Sequence, residues 1–166
     1  MFYRISDFQK VWQFELESTV KVLKNLTDAS LNQEVVPEGR TLGFIAWHIT
    51  LSIGEMMQRT GLTIDCPPED APMPGTAQEI CSVYEKAAKS LLDQVTSNWT
   101  DETLLIEDDM YGEMWARGNT VYGLSAHQIH HRGQMTILMR QAGLKVPGVY
   151  GPSKEEWAQI GMPAAK

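Results

Sequence analysis

The chain has 166 residues, of which 43% are hydrophobic and 21% are charged, and these are ordinary values for a globular protein. That length is enough for one domain, over residues 1–166, with a substantial core. A net charge of −7, with no cluster of Lys or Arg, argues against a protein that binds nucleic-acid phosphates. We therefore expect a single folded domain without a nucleic-acid partner.

The sequence also predicts the compartment. Charged residues interrupt the first twenty positions, so no signal-peptide apolar region is present, and no stretch approaches the ~18 apolar residues of a membrane span. Cys66 and Cys81 lack the spacing of a disulfide framework or a CxxC site, which favours free thiols in a reducing compartment. We expect a cytoplasmic protein without membrane contact.

Apolar residues recur at helical spacing in four segments. The predicted helices cover residues 6–26, 41–59, 76–98, and 119 or 120 to 141. Thr76-Ala77-Gln78-Glu79 has the form of a capping box, and Gly61 and Gly143 are expected to end the second and fourth helices. Residues 62–75 are rich in Pro and Gly and predict a long crossover, which lets the helices that it joins run parallel. The predicted fold is all-α, a four-helix bundle with a long crossover between helices 2 and 3.

Two segments have weaker patterns. Residues 99–118 are expected to form a loop at the rim of a site, with a short turn at Asp101-Glu102-Thr103 and an extended or irregular stretch over Tyr111–Trp115. No segment convincingly predicts a strand. Residues 147–152 predict a turn-rich tail, and the capping-box form of Ser153-Lys154-Glu155-Glu156 predicts at most a short helix through Trp157.

The histidines are concentrated at one place. Of the 4 histidines, three lie within Ala126–Gln134 on the predicted fourth helix. His127 and His131 are four residues apart, so their side chains share one helix face, with Cβ atoms about 5–6 Å apart, and can bind one metal ion. His130 points roughly 100° away from His131 and is expected to be a neighbour of the site, not a ligand.

The fourth histidine, His48, lies in an apolar stretch at the edge of the core-facing stripe of the second helix. Alone, such a residue is more often a hydrogen-bonded core histidine, and a bare His-x-x-x-His pair is more often a surface feature. In a four-helix bundle, however, facing helices combine side chains into metal sites. The combination favours a metal site formed by His48, His127 and His131.

Other candidate sites are weaker. Asp108-Asp109 can supply a carboxylate ligand, but an acidic pair in a loop is usually solvated. The methionines near the histidines are typical core filler, and neither cysteine has a reactive signature. No phosphate-binding glycine loop and no Gly-x-Ser-x-Gly sequence is present.

The run from His127 to Gln134, His-Gln-Ile-His-His-Arg-Gly-Gln, resembles the signature of the DinB/YfiT-like metalloenzyme family. Trp47-His48 is similar to that family's first ligand position, and the tail Pro147–Ser153 resembles the end of many members. The resemblance implies a four-helix bundle, often a homodimer, with a divalent metal held by three histidines, which match His48, His127 and His131. It favours zinc or nickel, although three-histidine sites also accept manganese, iron, cobalt or copper.

The family includes transferases and isomerases that use low-molecular-weight thiols such as bacillithiol or mycothiol. The resemblance therefore implies a metal-dependent thiol transferase or hydrolase that acts on a small electrophilic substrate. The alternative is a metal-binding stress-response module without turnover. Gln134, and Glu55 two turns after His48, are candidates to orient or polarise the ligands, although Glu55 is more simply a solvated helix residue. No catalytic residue and no organic cofactor site is assigned from the sequence.

Overall fold

The computed structural model of the protein describes residues 1–163. Its four long helices confirm the predicted ones and begin and end within three residues of the expected positions. They are α1 Ile5–Leu23, α2 Leu42–Gln58, α3 Ala77–Asn98 and α4 Arg117–Gln141. Short 3-10 helices cover Asp28–Asn32, Glu102–Leu105 and Trp157–Ile160.

The helix ends follow local chemistry. Thr76 caps α3, because its Oγ1 accepts a hydrogen bond from the Glu79 amide, and Thr41 caps α2 in the same way through Phe44. Gly61 and Gly143 have φ values of 80° and 74° and lie just beyond α2 and α4, where a left-handed residue ends a helix.

The helices form a four-helix bundle in which α1 and α2 each pack mainly against both α3 and α4. The predicted apolar line of α2, which consists of Leu42, Ile45, Ile49, Ile53 and Met56, is buried in the common core. Between α1 and α3, the fully buried Trp12 donates from Nε1 to the carbonyl of Ala88 over 2.9 Å. Apolar burial thus holds the bundle together, while such hydrogen bonds fix its register.

The crossover between α2 and α3 lies against α2. Trp47, which is buried on α2, donates from Nε1 to the carbonyl of Ala71 over 2.9 Å. At the end of the crossover, the Ala77 amide donates to Asp28 Oδ1 over 2.8 Å. These bonds keep a Pro-rich segment without regular structure in a defined place beside the helix that contains His48.

The prediction of a loop without strands over residues 99–118 is wrong in part. Strands β1 Glu107–Met110 and β2 Glu113–Ala116 form an antiparallel hairpin, with Met110 paired to Glu113. Its two-residue turn, Tyr111-Gly112, has φ values of 62° and 88°, the geometry that matches strand twist in tight hairpins. Asp109 stabilises the turn, because its Oδ1 accepts a hydrogen bond of 2.7 Å from the Gly112 amide.

Two smaller predictions also need correction. Helix α4 begins at Arg117, before the expected Asn119 or Thr120, because the hairpin leads directly into it and the Arg117 amide bonds to Ile106. In the tail, the Ser153 amide donates to Glu156 as a capping box requires, but the short helix begins at Trp157 where it was expected to end.

Both cysteines are free, as predicted. Within residues 1–163, none of the helices combines the length and the apolar character needed to cross a lipid bilayer.

Candidate metal centre

The structure brings together the three histidines that the sequence singled out. His48 lies on α2, and His127 and His131 lie one turn apart on α4. The rings of His127 and His131 have centroids 4.4 Å apart, and each centroid is 4.9 Å from that of His48. One ring nitrogen from each residue lies within 4.8 Å of the others, so the three can hold one metal ion.

The geometry of the nitrogens fits a cation. Nε2 of His48 lies 3.1 Å from Nε2 of His127, and two facing lone pairs at that distance repel each other unless a proton or a cation lies between them. Two nitrogens bound tetrahedrally to one ion at about 2.0–2.1 Å are about 3.3 Å apart. The spacing is therefore close to what a shared ion requires.

A buried glutamine, which sequence reasoning missed, sets α4 against α2 at this level. Gln128 is fully buried and donates from Nε2 to the carbonyl of Ile49 over 2.8 Å. Because Ile49 follows His48 and Gln128 follows His127, this bond fixes the two ligand positions relative to each other. The sequence signal that could have identified Gln128 is its place directly after a ligand histidine, on the face of α4 that packs against α2.

Gln134 orients His131, as the sequence suggested. Its Oε1 lies 2.7 Å from Nδ1 of His131 and accepts the proton there, which leaves Nε2 as the free ligand atom. Nδ1 of His127 is buried and has no hydrogen-bond partner among residues 1–163, so no second hydrogen bond fixes that ring as Gln134 fixes His131.

We expect Gln134→Leu to weaken metal binding by about 10–100-fold, because the ring of His131 loses the partner that fixes its tautomer and orientation. Competition with a coloured chelator measures this affinity. Gln141→Leu, on the same helix but outside the cluster, is the control and should bind metal as the wild type does. An unchanged affinity in Gln134→Leu would show that the hydrogen bond has no part in the site.

His130 lies outside the ligand group, as helix geometry predicted. It is exposed on α4, and Nε2 of Gln134 lies 3.2 Å from its Nε2. The structure places only His48, His127 and His131 close enough for one ion among the residues that it describes.

The three imidazoles are held neutral, which is the form that binds metal. Burial, together with the neighbouring imidazoles of His131 and His48, lowers the pKa of His127 to about 4. Burial also lowers the pKa values of His48 and His131, although the hydrogen bond to Gln134 opposes the change at His131. At neutral pH all three can therefore offer a lone pair without first losing a proton.

These shifts predict a pH dependence for the metal-free protein. The unfolded chain takes up a proton at His127 near pH 6.5, while the folded chain resists protonation down to about pH 4. The contribution of His127 to stability is thus complete above pH 6.5 and is lost as the pH falls towards 4. Urea unfolding at pH 7, 6 and 5 should show a smaller decline for His127→Gln than for the wild type, and parallel declines would contradict the assignment.

Arg132, inside the histidine-rich run, has a structural role. It is 3% exposed and donates from Nη2 to Glu15 Oε2 over 2.6 Å and from Nη1 to Thr19 Oγ1 over 3.0 Å. Tyr150 in the tail donates its hydroxyl proton to the other oxygen of Glu15. This network joins α4, α1 and the tail behind the metal centre, and so it sets the rotation of the helix that presents two ligands.

Two of the carboxylates expected to be solvated, Glu55 and Asp108, form ion pairs instead. The Glu55 side chain is only 11% exposed, and it accepts hydrogen bonds from Arg59 Nε at 2.9 Å and from the Tyr111 hydroxyl at 2.7 Å. Asp108 forms a two-bond ion pair with Arg117, at 2.8 and 3.1 Å, and so it fixes the hairpin to the start of α4. Neither carboxylate belongs to the group that can hold a metal.

Two cavities reach His48, and one of them also reaches His127. The crossover cavity, of about 290 Å³, lies between α2 and the crossover; the hairpin cavity, of about 260 Å³, lies between α2, α4 and the hairpin. His48, Ser52 and Glu55 line both cavities. The crossover cavity is also lined by Phe44, Trp47, Leu51 and residues 69–71, and the hairpin cavity by Met56, Tyr111, Trp115, Gly123 and His127.

Comparison with known proteins agrees with this architecture. The model of the DinB family matches residues 1–162. The chain belongs to the DinB family. A relative in Bacillus subtilis (strain 168), named Uncharacterized protein YrdA, is 46% identical over 166 residues, which are 100% of this chain and 99% of the relative.

Solved structures confirm the fold of this DinB protein. The crystal structure of a DinB-like protein from Bacillus cereus ATCC 10987 has a TM-score of 0.87 and 43% identity, and the match covers 90% of this chain and 100% of that chain. A second DinB-like protein, YjoA from Bacillus subtilis, has a TM-score of 0.68 at 16% identity, over 86% and 96% of the two chains, and shows the shared fold alone.

Proposed function

We propose that this DinB protein is a metal-dependent enzyme that transfers a low-molecular-weight thiol to a small electrophilic substrate, or hydrolyses such a substrate. The ion, zinc or nickel, would be held by His48, His127 and His131. The observation that supports this function most is that three neutral imidazoles converge closely enough to hold one ion, and that two cavities meet at one of them, His48.

The donor set is that of a catalytic centre. Three neutral ligands leave at least one coordination position open and add no negative charge to compensate a divalent ion. A zinc or nickel ion bound there would lower the pKa of a water or a thiol and so supply a nucleophile at neutral pH.

The chain's own residues prepare the site. Burial keeps the imidazoles unprotonated, and Gln134 holds His131 in the tautomer that offers Nε2. The Tyr111 hydroxyl has its pKa raised to about 12, chiefly by burial and by its bond to Glu55, so it remains a proton donor to that carboxylate. Glu55 and Tyr111 thus form a fixed hydrogen-bonded edge beside His48.

Two cavities that share His48 favour a reaction with two substrates. One cavity has room for a small thiol and the other for an electrophile, and both would present their reacting atoms beside His48. A hydrolase needs only one organic substrate, so transfer is the better fit to this shape.

A screen tests the proposal directly. Protein purified without added metal is analysed for bound elements, loaded with zinc or nickel, and mixed with a panel of thiols and 1-chloro-2,4-dinitrobenzene. In the transfer, the thiolate sulfur forms a bond to the ring carbon, the carbon–chlorine bond breaks, chloride leaves and the thiol proton goes to solvent. We expect metal-dependent consumption of thiol and release of chloride, both lost in His131→Ala.

Other outcomes separate the alternatives. Metal-dependent release of chloride without loss of thiol, in which water replaces the chloride, would indicate the hydrolase. One metal ion per chain without turnover over the whole panel would contradict both activities and favour a metal-binding stress-response module. We also propose, from the family resemblance, that the protein acts in the cytoplasm as a homodimer, which sedimentation analysis tests.

A further inference from the structure

The hydrogen-bond donors of the non-histidine side chains that line the hairpin cavity already donate to other groups of the protein. The Ser52 hydroxyl donates to the carbonyl of Ile49 over 3.2 Å, and Trp115 Nε1 donates to Glu113 over 3.0 Å. The Tyr111 hydroxyl donates to Glu55. Among the described side chains that line this cavity, every hydrogen-bond donor outside the histidines is therefore already used.

The cavity also lacks an available charge. Its one carboxylate, Glu55, is neutralised by the ion pair with Arg59 at 2.9 Å, and the guanidinium carbon of Arg59 lies 4.4 Å from the centre of the Tyr111 ring. In the metal-free protein, a charged ligand that entered would lose part of its hydration and find no free opposite charge among these groups. The walls offer aromatic rings and the Met56 side chain instead.

Gly123 keeps this space open. It lies on α4 one turn before His127, where glycine is less favourable than alanine because it adds chain entropy to be lost on folding. A Cβ atom at this position would lie 3.4 Å from the Trp115 ring, which is ordinary contact, so packing does not forbid a side chain. A side chain larger than that of alanine would instead reduce the cavity volume beside the ligand histidines.

The hairpin tip that roofs the cavity is held in place. Tyr111 is a non-glycine residue with φ of 62°, a conformation that its neighbours must maintain. The hydrogen bond to Glu55 and the contact with Arg59 join this residue to α2. The roof is thus a fixed wall of the cavity, which is lined there by Tyr111 and Trp115.

We propose that the hairpin cavity binds an uncharged, apolar group of about the size of one aromatic ring, as part of the electrophilic substrate. Its volume of about 260 Å³ lies just below the roughly 300–1,000 Å³ of ligand pockets in general, which suits one ring better than a larger molecule. The identification of this group as part of a substrate rests on the proposed function, but its binding does not depend on turnover.

The test uses three probes of similar size on the metal-free protein, in which no bound cation attracts the anion: neutral acetophenone, anionic benzenesulfonate and cationic phenyltrimethylammonium. Ligand-observed NMR titration gives each dissociation constant, and the indole N–H signal of Trp115, assigned with Trp115→Phe, reports where the probe binds. We expect acetophenone to bind at least about tenfold more tightly than either ion and to shift the Trp115 signal.

Substitutions on α4 locate the binding. Gly123→Leu should weaken acetophenone binding at least about tenfold, and Gly123→Ala should have a smaller effect, while bound metal stays at the wild-type level. Gly133→Leu is the matched control, since Gly133 is exposed with no atom within 4 Å of its Cβ position, and it should bind acetophenone as the wild type does. If Gly123→Leu does not fold, Gly123→Ala still decides the direction.

Equal binding of the three probes, or an unchanged affinity in the Gly123 variants, would overturn the assignment. The turnover screen separates this failure from that of the proposed function. Selective acetophenone binding without turnover would support the cavity assignment and contradict the enzyme. Turnover whose KM for an aromatic electrophile is the same in Gly123→Ala and wild type would support the enzyme and contradict the cavity assignment.

Discussion

His131→Ala is expected to abolish stable metal binding, while His130→Ala retains it. His131 is 6% exposed, and its ring contributes one of the three nitrogens that lie within 4.8 Å of one another. Removing a ligand should lower the affinity by more than the roughly 10–100-fold that follows from losing a ligand's hydrogen-bond partner. Elemental analysis after desalting should find about one ion per chain in the wild type and below about a tenth of that in His131→Ala.

The control is matched, because His130 and His131 are adjacent on α4 and receive the same substitution. Equal metal content in the two variants would contradict the ligand assignment. Loss of metal in His130→Ala alone would place the site on the exposed face of α4 instead of between α2 and α4.

Arg132→Met is expected to destabilise the fold by about 3–5 kcal/mol, because it leaves the buried Glu15 carboxylate without its cation. Both side chains are 3% exposed and are joined over 2.6 Å. Urea unfolding measures the loss. The double variant Glu15→Leu with Arg132→Met should recover most of it, since replacing a whole buried pair with apolar residues is often neutral or favourable.

Lys89→Ala is the control for this prediction. Lys89 pairs with Glu85 over 2.6 Å, but its side chain is 60% exposed, and surface pairs of this kind contribute little. If Arg132→Met lowered the free energy of unfolding as little as Lys89→Ala does, the network of Glu15, Arg132 and Tyr150 would not be what fixes the orientation of α4 about its axis.

The four helices and the histidine cluster were predictable because strong local patterns encode them. The apolar line of α2 and the capping box at Thr76 are readable within one or two helical turns, and both are confirmed. The i, i+4 spacing of His127 and His131 fixes their shared face, and the need for a partner at the apolar edge pointed to His48.

The hairpin escaped prediction because its local signals are weak. Glu107-Asp108-Asp109-Met110 contains the acidic residues that strands usually lack, and the turn uses Tyr111-Gly112 where Asn-Gly or Asp-Gly is the common signal. Its stability comes from tertiary contacts, namely the ion pair of Asp108 with Arg117 and the bond from Tyr111 to Glu55. Such partners are not readable from spacing.

The supporting roles of Gln128 and Arg132, unlike that of Gln134, were missed for the same reason. Gln128 bonds to a residue 79 positions away, and Arg132 pairs with one 117 positions away, so no periodicity relates them. Only the packing of α4 against α2 and α1 shows that these polar residues are buried and partnered. Glu55 was expected to be solvated because the sequence gives no sign that a hairpin lies over it.

The most direct test of the account is a crystal of this DinB protein grown with zinc and measured at wavelengths on both sides of the zinc absorption edge. The account predicts one anomalous peak within about 2.0–2.1 Å of a ring nitrogen from each of His48, His127 and His131. A structure in which His48 turns away from the other two, or in which the peak lies elsewhere, would contradict it.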